Sequence, residues 1–212
     1  MAIYLNSYYP LCCNKKGKKA LGKNKDLKPY IDGSCRREPD FDNEKPCITG
    51  LCRPGFAQKL SEDDLVIYVT NKRGIKSRKI VAVFKVIKVF DNHKTAAKWY
   101  INHKKTIPNN IMVKETKPFR LDKTHQKFGW DGWLGGIRNL KEWDKGYKER
   151  AGRQGNTKVA QCKFVFNKLE EPIDLNQKEW NYISQRSLCT QNPPILETEE
   201  WQRLKEKANI NY

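Results

Sequence analysis

The sequence has no run of roughly 20 apolar residues, so it offers no candidate membrane span. Its opening stretch, MAIYLNSYYPLCC, lacks both the basic n-region and the long apolar h-region of a secretory leader, and an intracellular, cytoplasmic protein is expected. Histidine is scarce, with 3 residues. Neither H-E-x-x-H nor the paired H-x-E and P-C-x-x-C of base deaminases occurs, which removes the usual zinc-hydrolase readings. There is no P-loop, no G-x-S-x-G and no kinase-like set. One E-x-K, Glu115 and Lys117 with Asp91 upstream, has the outline of a nuclease metal site. So short a pattern is expected by chance among this many lysines, and no catalytic residue is assigned.

Acid is also in short supply. The 212 residues carry 24 Asp and Glu against 42 Lys and Arg, a formal charge of +18. Such a charge costs self-repulsion and favours an anionic partner. No amphipathic basic helix marks a membrane surface, so nucleic acid, DNA or RNA, is the expected partner. Six Trp, eight Phe and nine Tyr are more aromatic residues than a disordered chain carries, and they point to a folded core. Seven cysteines, an odd number, argue for thiols or a metal rather than a disulfide framework. The cysteine spacing argues against a structural zinc site. Adjacent Cys12 and Cys13, and Cys47 and Cys52 with four residues between them, do not make the close C-x-x-C pairs that such a site uses. No cofactor is assigned.

The strongest local signal runs from Cys47 to Phe90. Leu65–Thr70 (LVIYVT) and Ile80–Phe90 (IVAVFKVIKVF) are apolar, β-branched runs flanking the basic turn NKRGIKSRK. They predict a β-hairpin with a cationic tip, preceded by a tight acidic turn at Ser61–Asp64. Ile3–Tyr9 alternates as a half-buried strand ended by Pro10. Together IYLNSYYP, the C-x-x-x-x-C-R-P of Cys47, Cys52, Arg53 and Pro54, and the DLVIYVT strand resemble the PUA-like superfamily of small β-barrels. That group includes the ASCH, EVE and YTH domains, and the likeness is greatest to its nucleotide-modification-associated domains. It covers residues 1 to 90 and fades towards 170.

The resemblance implies an α+β fold: a PUA-like, mostly antiparallel, barrel-like sheet of about five or six strands with helices outside. It implies a modified-base-binding domain over residues 1–170, with basic loop insertions; capping signals in the residues beyond it mark a C-terminal helical cover over 171–212 belonging to the same domain. It also implies that the first strand ends in the ligand pocket, where Asn6, Ser7 and Tyr8 stand. These three either bond or stack on a base or merely close a strand.

Phe119–Leu140 interleaves four glycines with Phe128, Trp130 and Trp133. Paired indoles in a Gly-rich loop offer faces for base stacking, by analogy with the YTH aromatic cage, or else pack against the barrel. Arg53 completes the candidate base pocket, since a planar guanidinium suits phosphate or a guanine edge. Candidate phosphate contacts are Lys15, Lys16, Arg36, Arg37, Lys72, Arg73, Lys76 and Arg78, any of which can equally be a solvated loop residue.

Further along, a short helix is expected over Asp91–His103, with His93 and His103 at the surface. Thr157–Asn167 reads as a strand with Ala160, Cys162, Phe164 and Phe166 on one face. Helices are expected over Leu175–Arg186, capped by Asp174 with Gln177, and from Thr198 as N-cap. The alternatives to a base reader are an enzyme acting on nucleotides or nucleic acid, and a general basic protein of a nucleoprotein complex.

Overall fold

The computed structural model describes residues 1–13, 17–18, 21–22, 28–31, 39–49, 54–70, 77–113, 149, 151–153, 155–189 and 192–212. Its strands are β1 (Ile3–Tyr8), β2 (Cys47–Thr49), β3 (Leu65–Thr70), β4 (Arg78–Phe90), β5 (Val159–Asn167) and β6 (Ile173–Leu175). Its helices are α1 (Pro54–Ala57), α2 (His93–Asn102), α3 (Gln177–Ile183) and α4 (Thr198–Ala208), preceded by a 3₁₀ turn at Leu11–Cys13. The sheet order is β1-β3-β4-β5-β2, with β6 added to the start of β4, and the whole curls into a half-barrel.

The expected hairpin forms as β3 and β4, paired antiparallel from Leu65↔Lys85 to Val69↔Ile80. Every residue of LVIYVT is buried, as befits a strand covered on both faces. The acidic turn before it is a working joint. The Asp64 carboxylate accepts from the Ser61 N–H at 2.9 Å and from the Ala2 N–H at 2.6 Å, so it ties the start of β1 to the start of β3.

The sheet is mostly antiparallel, as expected, but not purely so: it is mixed. β1 runs parallel to β3, from Ile3↔Leu65 to Tyr8↔Thr70, whereas the other four pairings are antiparallel. A parallel pair needs a crossover of a dozen residues or more, which the chain between Tyr8 and Leu65 supplies. Strand alternation does not encode the direction in which such a crossover returns. The outer edge of β1 is covered by the 194–196 segment through Leu5 N–H→Pro194 O and Leu196 N–H→Ile3 O. Covering it removes an open edge that would invite other chains.

Period-2 alternation splits the buried residues between two cores. Ile3, Leu5, Leu65, Ile67 and Val69 meet Trp180, Ile183, Trp201 and Leu204 of α3 and α4 on one face. Tyr4, Tyr8, Val66, Tyr68, Phe84, Ala160 and Cys162 line the concave face with Phe41, Phe56 and Leu60. Burial of each such side chain contributes roughly 1.5–3 kcal/mol. A third cluster under α2 holds Cys47, Phe90, Tyr100 and Val159.

The expected single face on β5 is broken after Phe164. The register moves from Phe84↔Phe164 to Val83↔Phe166, so Val165 is an extra residue and Phe166 turns to the helical face. A β-bulge does this because two residues on one strand oppose one on its partner.

Helix boundaries also shift. Ile173–Leu175 is β6 rather than the first helical turn, and Asp174 bonds Lys79 Nζ at 2.6 Å instead of capping. Asn176 and Glu179 form the capping box of α3. α4 is boxed by Glu197 and Glu200, one residue before the expected cap, and ends on Asn209 in the left-handed region. α2 is capped by Asn92. Among the described residues, no helix is long and apolar enough to cross a membrane.

Candidate nucleic-acid interface

Asn6, Ser7 and Tyr8 stand at the end of β1, and all three are buried. Alternation places Asn6 on the concave face with Tyr4 and Tyr8, and Ser7 on the opposite, helical face beside the row of Ile3 and Leu5. The three therefore do not line one pocket. Among the described residues, the Ser7 hydroxyl oxygen has no hydrogen-bond partner. The Tyr8 hydroxyl donates to the Tyr30 carbonyl at 2.6 Å, which fixes its ring against the concave wall.

That wall is a box of aromatic rings. Tyr8 from β1, Tyr68 from β3, Phe84 from β4 and Phe164 from β5 present their faces and edges to one another. The centroid separations are 6.0 Å for Tyr8–Tyr68, 5.2 Å for Tyr68–Phe84 and 4.7 Å for Phe84–Phe164, all edge-to-face. Such geometry follows from the ring quadrupole and adds about 0.5–1.5 kcal/mol per pair beyond burial. Phe41, on a turn, occupies the middle of the box.

Of the candidate phosphate contacts, Arg78 opens β4 and borders a polar cleft of about 320 Å³ with Gln177, Asn181, Gln185 and Arg186, floored by Trp180. Arg186 there is bound to Glu200 at 2.7 Å and Glu197 at 2.8 Å. Arg53, Trp130 and Trp133, together with Lys15, Lys16, Arg36, Arg37, Lys72, Arg73 and Lys76, lie outside the described residues, as do Glu115 and Lys117.

The described residues that border those basic stretches gather at one end of the sheet. Tyr8 and Thr70 are register partners, and the Lys79 N–H donates to Thr70 Oγ1. The Leu11 N–H donates to the Ile31 carbonyl and the Cys12 N–H to that of Pro29. At this end the Tyr30 hydroxyl is pushed up by burial and by the nearby Cys12 thiol, with Lys79 opposing.

Among the described residues, no group of three or more His, Cys, Asp or Glu could hold a metal ion. Cys35 and Cys52 lie outside the described residues. The Tyr100 hydroxyl donates to the Lys45 carbonyl at 2.6 Å and so accepts from the Cys47 thiol at 2.9 Å; burial pushes its ionisation up. The Cys12 thiol is pushed up by its hydrogen bond with Cys13 and by burial.

His93 departs from expectation: it is fully buried, not at the surface. Its Nδ1 accepts from the Met112 N–H at 2.9 Å, so the proton sits on Nε2, 3.2 Å from Thr157 Oγ1. Burial lowers its pKa to about 4. His103 is exposed and stacks on Trp99 at 4.1 Å, as a surface residue does.

Sequence reasoning missed Phe41. It stands in PDFDNEKP, where no periodicity marks it as core. Tyr68, Phe84 and Phe164 were legible as strand residues, but not as one box. No family model, no curated protein and no solved structure matches the chain.

Proposed function

We propose that the protein binds nucleic acid and reads a modified base or nucleotide in the aromatic box on the concave face of the sheet. The observation that supports this most is the pairing of that box with the charge of the chain. Four strands each contribute a ring, and the strand ends beside Tyr8 border the stretches that carry Lys15, Lys16, Arg36, Arg37, Lys72, Arg73 and Lys76. Cations there hold phosphates without reading sequence, while aromatic faces accept a base lifted from its stack. Asn6 shares the face of the box, and Arg53, Trp130 and Trp133 complete the pocket in this reading.

The test is a binding titration against matched single- and double-stranded oligonucleotides, with and without methylated or hydroxymethylated bases, at two salt concentrations. A preference for one modification that persists at the higher salt is expected. Uniform binding that falls steeply with salt would reduce the protein to a basic nucleoprotein component. Trp130→Ala is expected to weaken binding of the preferred oligonucleotide by about 1–3 kcal/mol, the value of one stacking contact. Unchanged affinity in that variant would remove Trp130 from the pocket.

A further inference from the structure

Phe41 is the one ring of the box that no strand carries. Its centroid lies 5.3 Å from Tyr8, 5.2 Å from Tyr68, 5.6 Å from Phe84 and 6.5 Å from Phe164, so it touches all four walls at once. It is 4% exposed. The turn that bears it is tied to the 105–109 segment by polar contacts. The Asn109 N–H donates to Asp40 Oδ2 at 2.9 Å, Asn43 Nδ2 to the Thr106 carbonyl at 3.0 Å, and Lys105 pairs with Glu44 at 3.2 Å. Water can replace each of these contacts when the turn lifts. The strand-borne rings are held in a hydrogen-bonded sheet and cannot follow.

We infer that Phe41 is a plug seated in the base site, that a ligand base displaces it, and that the vacated space, one six-membered ring wide between four aromatic walls, takes a pyrimidine in preference to a purine. This rests on the base-reading function proposed above. A flat heterocycle would replace a flat phenyl ring and keep the same contacts, edge-to-face with Tyr68 and tilted against Tyr8, Phe84 and Phe164, so the box loses little packing in the exchange. A purine carries a second fused ring, for which closely packed walls leave no room. Because the binding-competent form is the one with the plug out, the observed affinity is the intrinsic one reduced by the open fraction.

The experiment titrates wild type, Phe41→Ala and Asn43→Ala with cytidine, thymidine and adenosine. In parallel, ¹⁹F spectra are taken of protein labelled with 4-fluorophenylalanine, the Phe41 line being assigned by its loss in Phe41→Leu. Both substitutions should tighten pyrimidine nucleoside binding by about tenfold or more, with a smaller gain for adenosine, since each raises the open fraction. In labelled wild type the Phe41 line should move to a solvent-exposed position at saturation. Asn43→Ala loosens the turn without touching the box, so it and the ¹⁹F line decide the matter if Phe41→Ala does not fold. Pyrimidine binding with equal affinity in wild type and Asn43→Ala, and an unmoved Phe41 line, would make Phe41 ordinary core and leave the base-reading function standing. An equal gain for adenosine would overturn the size selection. If no folded variant binds any nucleoside or oligonucleotide base, the base-reading function fails and the plug fails with it.

Discussion

The two faces of the sheet are both buried, yet they are built differently. The face under α3 and α4 is mainly aliphatic with two tryptophans, and its polar groups are locked into a local network. Glu200 accepts from Ser184 Oγ at 2.7 Å, from Arg186 Nε at 2.7 Å and from the Glu197 N–H at 2.8 Å, which together outweigh burial and keep its carboxyl below the usual range. The concave face is aromatic, and the ring at its centre comes from a turn. Helix cover closes a core permanently because its contacts are many and apolar. Loop cover rests on a few hydrogen bonds that water can replace. Under the function proposed above, the first face serves stability and the second serves binding.

The largest expected effect tests the stability half. Trp201→Ala removes a buried indole from the helical core and should cost about 3–5 kcal/mol in urea denaturation. Oligonucleotide affinity of the folded fraction should not change. A loss of affinity without a loss of stability would reverse the assignment of the two faces.

Acid should act first at the end of the sheet where α2 packs. The His93 ring accepts from the Met112 N–H and its Nε2 faces Thr157 Oγ1, while its backbone N–H donates to the Gly155 carbonyl, so it ties together segments that are distant in sequence. Its pKa is lowered in the folded state, so between the ordinary value of 6.5 and about 4 the unfolded chain binds the extra proton. Its contribution is complete above pH 6.5 and is lost as pH falls to about 4, by about 3 kcal/mol in all. Urea denaturation across that range should show this slope, and His93→Gln should flatten it. Hydrogen exchange at Met112 should accelerate before that of Trp201. Equal acceleration at both would mean that the two sides open as one unit.

The smallest effect concerns the basic turn NKRGIKSRK. Lys72→Gln should leave melting unchanged and lower the slope of log affinity against log salt by about one, whatever the base. A change confined to one modified base would place Lys72 in the pocket instead.

Much of this architecture was legible residue by residue. LVIYVT and IVAVFKVIKVF announced the central hairpin because two-sided burial selects β-branched apolar runs. The +18 charge, the aromatic content and the absence of catalytic motifs also follow from composition alone, because they do not depend on where the chain goes. Tertiary structure decided the rest. It set β1 parallel to β3, turned Ser7 away from Asn6 and Tyr8, flipped Phe166 across a bulge, buried His93 and drew Phe41 from a featureless turn into the centre of the box. Local sequence states which residues prefer to be buried and with what period. Which residues meet depends on the path of the crossover between β1 and β3 and on the register it imposes, and those are properties of the folded chain.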